Sequence, residues 1–174
     1  MVINFDSNHR SAIANQIARA ARELDLFQVV NQGIHPAILD RTIAAVKAFL
    51  EQPPEIRSRF CRRDTGKTSI SYHSNYDLYQ SEAAMWRDTL TVRLSPTPPA
   101  PEDVPEMCRD AAAEWDQEPD QTMGLASHTD QKVLNVLLQH QLGGLQIEFH
   151  GLWVDVKPIH GALVINIGDL IQVN

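Results

Sequence analysis

The last third of the chain is written in short apolar runs broken by glycine. Val133–Gln139, Leu145–Phe149, Trp153–Val156 and Leu163–Ile167 are separated by Gly143-Gly144, His150-Gly151 and His160-Gly161. None of these runs reaches the ten or so residues that a helix of ordinary length needs, and glycine between them supplies the positive φ of tight turns. Short runs rich in Val, Ile and Leu, bounded in this way, are strands. The rhythm predicts that strands dominate from Leu125 onward, as in a sandwich or one half of a jelly roll.

The first third has a different period. Val2–Phe5 suits a short strand. Ile13, Ile17, Ala20 and Leu24 recur at spacings of four, three and four, which predicts a helix over about 11–24. Phe27–Asn31 is strand-like and Gly33 ends it. Pro36 suits the first turn of a second helix, where its missing N–H is no loss. Leu39, Ile43, Val46 and Leu50 are expected on one face of that helix, and Pro53-Pro54 stops it. Beyond Gly66, Ile70–Tyr79 and Asp88–Leu94 read as strands, Pro96–Pro105 as a stiff extended linker, and 105–115 as a short acidic helix. The expected fold is α+β, with N-terminal helices supporting a partial β lobe. Three segments result: a helix-and-strand region at 1–100, an acidic Pro-rich linker and short helix at 101–120, and the β lobe at 121–174.

Composition narrows the function classes. The 174 residues suit one domain, and the net charge of −7 is carried by residues 101–120, so no global basic field attracts nucleic acid. No apolar run approaches the length of a membrane span, and the N-terminus lacks a basic-then-apolar leader, so a cytoplasmic monomer is expected. Cys61 and Cys108 stand far apart and read as free thiols. The cluster Arg57, Arg59, Arg62 and Arg63 reads as a solvated helix end. Ser81 and Ser127 lack a neighbouring His–Asp arrangement, and Gly143-Gly144 does not open a helix as a phosphate loop would. Trp115 and Trp153 read as packing residues.

The sharpest chemical signal is His128-Thr129-Asp130. In a strand, residues i and i+2 project from one face, so an imidazole and a carboxylate point the same way. Those are two of the three groups in the 2-His-1-carboxylate triad that holds non-haem Fe(II) with open positions. The same tripeptide also arises as a surface His beside a turn Asp. Residues 125–172 are expected to form antiparallel strands, with His128 and Asp130 on one concave face.

Longer stretches add to this. YHSNYDLYQSEAAMWRDTL from Tyr72, LDLFQVVNQG at 24–33, and the ordered segments HTD, LLQ, GGLQ, WVDV and ALVINIGDL resemble the plant Fe(II)/2-oxoglutarate-dependent dioxygenases related to isopenicillin N synthase. The resemblance extends in particular to the 1-aminocyclopropane-1-carboxylate oxidase homologues and their alkaloid-hydroxylase relatives. It implies a double-stranded β-helix (jelly roll) and hydroxylation or desaturation of a small organic metabolite. Fe(II) is the implied metal and 2-oxoglutarate the implied co-substrate, with ascorbate used by some relatives. By resemblance His128 and Asp130 match the first two iron ligands. Asn166, Gly168 and Asp169 match a structural N-x-G-D turn. Trp86-Arg87-Asp88 match a W-R-D read here as packing rather than substrate contact. Gln32 stands where the family usually has His.

The resemblance also implies missing parts. The family carries a helical region before the first strand, and several dozen residues between the counterparts of Cys108-Arg109-Asp110 and Glu118-Pro119, including a Tyr-Pro-x-Cys-Pro. Its distal His and Arg-x-Ser lie past the counterpart of Gly168-Asp169-Leu170. No Arg follows Arg109 here. His140, His150 and His160 are poor substitutes for the distal ligand, since His150 and His160 precede turn glycines and His140 borders a hairpin loop. His9, His35 and His73 fit no better. Two readings stay open: an oxygenase with impaired or absent turnover, and a non-catalytic remnant jelly-roll module that acts as a binding protein.

Overall fold

Leu24 and Asp25 end the first helix in the way the sequence requires. Their N–H groups both reach Ala20 O, at 2.9 and 3.1 Å, and Asp25 takes φ +53. The computed structural model describes residues 1–6, 9–62, 68–74, 88–94, 97–116 and 134–168. In chain order the named elements are β1 (Val2–Asn4), α1 (Arg10–Glu23), β2 (Leu26–Val30), α2 (Pro36–Leu50), α3 (Pro54–Arg57), β3 (Ile70–Ser74) and β4 (Asp88–Val92). They continue with α4 (Arg109–Asp116), β5 (Leu134–Leu138), β6 (Gln146–Phe149), β7 (Leu152–Asp155) and β8 (Leu163–Ile167). Three short 3-10 turns occupy Ser58–Phe60, Pro101–Asp103 and Glu106–Cys108. The architecture is α+β.

Contacts group the chain into two units, Met1–Leu39 with Gln121–Asn174, and Asp40–Asp120. The first unit joins residues 1–39 to 121–174, because β1 and β2 supply half of the sheet that β5 and β8 complete. In the first unit the strand order is β1-β2-β8-β5. β1 runs parallel to β2, whereas β8 is antiparallel to both β2 and β5. One sheet face is apolar: Ile3, Phe27, Val29, Leu163, Ile165 and Ile167 share it by register. α1 packs on β1 and β2, with Ala20 buried and Ile13, Ile17 and Leu24 half-buried, which is the face its spacing predicts. β6 and β7 form a separate two-stranded hairpin. His150 and Gly151 turn it at φ +51 and +78, the paired positive values of a two-residue hairpin turn whose twist suits the strands.

The second unit has its core around Phe49, Ile70, Tyr72, Val104 and Cys108. Phe49 meets Phe60 and Tyr72 edge-on, with ring centroids 5.7 and 5.4 Å apart. β3 and β4 pair antiparallel from Ile70↔Val92 to Ser74↔Asp88. The α2 face differs from the sequence expectation. Leu39, Thr42 and Phe49 are buried, while Val46 is exposed. The aromatic ring of Phe49 offers more apolar surface than Val46, and burying it sets the rotation of the helix. Thr42 follows it inward because its hydroxyl accepts a 2.8 Å hydrogen bond from buried Trp115 Nε1. The proline-rich stretch does not end as a free linker either. Val104 and Pro105 are buried, and Arg109 Nε donates to Val104 O at 3.2 Å.

Candidate functional site

His128 and Asp130, the two residues with the strongest chemical signal, lie outside the described residues, as do Trp86, Arg87, Asp169, Tyr76 and Tyr79. What is described begins at Leu134, the first residue of β5, where antiparallel pairing with β8 agrees with the strand expectation. Asn166 of the N-x-G-D segment is not in a turn. It sits within β8, opposite Asn135 on one side and Leu26 on the other.

The second sheet face, unlike the apolar one, carries polar groups. Asn4, Gln28, Asn135 and Asn166 share it with Leu26, Val164 and Leu137. A cavity of about 340 Å³ adjoins this face, with Leu24, Leu26 and Gln28 on one wall and Ile147, Phe149 and Val154 of the hairpin on the other. Three carboxamides fix the chain between β7 and β8. Gln28 Nε2 donates to Lys157 O at 2.9 Å, Gln139 Nε2 to Val156 O at 3.1 Å, and Gln32 Nε2 to Gly161 O at 3.2 Å. Gln32 therefore has a structural use in this chain, as a donor to a turn carbonyl. No local pattern in the sequence signals these roles.

In the second unit the polar centre is Arg57–Tyr72–Asp88. Arg57 Nη1 donates to Tyr72 OH at 2.7 Å and to Asp88 Oδ2 at 2.6 Å. Arg57 is thus not part of a solvated helix end: its side chain is 19% exposed, held inward by that carboxylate. Asp88 is held in this ion pair. Hydrogen bonds from Ser74 and Tyr72, with the nearby Arg57 charge, hold the Asp88 carboxyl below its ordinary pKa against the opposing effect of burial. A depressed carboxylate stabilises the fold above its unfolded pKa, and that contribution is lost as pH falls through the folded value. Asp88→Asn should therefore cost about 1–3 kcal/mol at pH 7 by leaving Arg57 without its anion. The gap to wild type should shrink below the ordinary carboxylate range of about pH 4. Urea midpoints at pH 7 and pH 3 measure it, and an equal gap at both would contradict the assignment.

Three of the described histidines are engaged locally. His140 Nδ1 accepts from Leu142 N–H at 3.1 Å, His35 Nδ1 accepts from Ala37 N–H at 3.2 Å, and His150 stacks edge-on against Phe149. Among the described residues no group of three or more His, Cys, Asp or Glu could hold a metal. Both thiols are free, and burial pushes Cys108 up to about 11, which keeps it unreactive. Trp115 packs as expected, but Trp153 does not: it is 68% exposed on β7. No helix among the described residues is long and apolar enough to cross a membrane.

Comparison with known proteins decides the family. A model of the N-terminal region of non-haem dioxygenases in morphine synthesis matches residues 2–117, and one of the 2OG-Fe(II) oxygenase superfamily matches 106–174. The chain belongs to the 2OG-Fe(II) oxygenase superfamily. Among relatives of this 2OG-Fe(II) oxygenase chain, 1-aminocyclopropane-1-carboxylate oxidase homolog 12 of Arabidopsis thaliana is 34% identical over 215 residues, covering 98% of this chain and 59% of the relative. Homolog 2 from the same plant is 36% identical over 208 residues, covering 94% and 56%. This oxygenase chain thus spans little more than half the length of the curated relatives it matches. Both alignments are also longer than its 174 residues, so the relatives carry residues that it lacks inside the matched span. The fold is shared with solved 2OG oxygenases. JOX2 in complex with 2OG, Fe and JA superposes with TM-score 0.78 at 20% identity, over 99% of this chain and 65% of that one. The Arabidopsis thaliana dioxygenase for auxin oxidation 1, with 2-oxoglutarate, gives 0.65 at 13% identity, over 99% and 84%.

Proposed function

We propose that this chain belongs to an Fe(II)/2-oxoglutarate-dependent dioxygenase whose family chemistry is hydroxylation or desaturation of a small organic metabolite, and that the 174 residues by themselves turn over poorly. The paired family match, running in order from residue 2 to residue 174, carries this reading. On this reading the strands of 134–168 belong to a partial double-stranded β-helix, and His128 and Asp130 are two of three iron ligands. Iron bound with 2-oxoglutarate supplies the oxidising power in this family, and the protein contributes ligand geometry and a dry pocket. The cavity lined by Leu26, Phe149 and Val154, with Gln28, Asp155 and Lys157 beside them, has the volume of a small-molecule site. Ascorbate serves, if used, as reductant.

Impairment follows from ligand number. Two side chains leave an Fe(II) site open, and Fe(II) ranks low in the Irving–Williams order, so few ligands hold it poorly. His35 and His140 already accept backbone hydrogen bonds and His150 stands in the hairpin turn, which argues against these three as a third ligand. Anaerobic calorimetric titration of the 174-residue polypeptide with Fe(II) should show binding weaker than micromolar, and His128→Ala should remove it. A submicromolar site that survives His128→Ala would mean that the ligands are misassigned.

A further inference from the structure

We draw no further inference here: the strongest candidate, the cavity between β2 and the β6–β7 hairpin, belongs to the small-molecule site already described, and Asp155 and Lys157 stand together on its lining, so that their opposite charges select no one class of ligand.

Discussion

Supplied with Fe(II), ascorbate and 2-oxoglutarate, the 174-residue polypeptide should release no succinate above the level of its Asp130→Ala variant. Two independent deficits lead there. On the proposed ligand assignment, His128 and Asp130 alone would not define the open positions at which co-substrate and oxygen must meet in the family's chemistry. The second deficit is in carboxylate recognition. The far carboxylate of 2-oxoglutarate is best met by a bidentate guanidinium, and no Arg follows Arg109 in the chain. Misplacing a reacting group by about 1 Å can cost 10²-fold, and both deficits exceed a misplacement of that size. Steady succinate release that Asp130→Ala abolishes would show that a second chain or an unassigned residue completes the site. Failure to release succinate, together with retained small-molecule binding, would favour a binding module.

Phe49→Ala should cost about 3–5 kcal/mol, the range for emptying a buried aromatic site. Phe49 is fully buried, and its ring contacts Phe60 and Tyr72, so truncation removes transfer energy and both edge-on contacts together. Against a total stability of roughly 5–15 kcal/mol, that loss would bring the second unit close to unfolding. Val46→Ala is the informative companion. Val46 is 38% exposed and should cost less than about 1 kcal/mol. Urea midpoints for the two variants would reveal a mis-rotated α2 if Val46→Ala proved the more damaging.

That pair of variants also marks where sequence reading reaches its limit. α1 is legible because Ile13, Ile17, Ala20 and Leu24 are the apolar residues available to one face. α2 offers two competing stripes, and periodicity alone does not reveal that Trp115, more than seventy residues away, brings a partner for Thr42. The strands of the β lobe are legible because glycines bracket them: β8 matches its expected bounds and β7 is shifted by one residue. The role of Arg57, at the end of α3, is not legible because its anion, Asp88, lies 31 residues away on β4. The same holds for Gln28, Gln32 and Gln139, whose carbonyl partners lie at residues 156–161, and local pattern is blind to such pairs. The metal motif was read from family likeness and strand parity, and it falls outside the described residues.

The strand order β1-β2-β8-β5 has a consequence for how the chain is made. β2 finds its antiparallel neighbour only in residues 163–167, so the sheet closes a loop of well over a hundred residues. Such distant pairing is entropically slow, and it is reached after β1, α1 and β2 have left the ribosome. Until β8 emerges, the β2 edge that carries Phe27 and Val29 is without its partner strand, with only α1 to cover it. Chaperone capture during that interval, rather than the stability of the finished sheet, would then govern how much folded protein a cell accumulates.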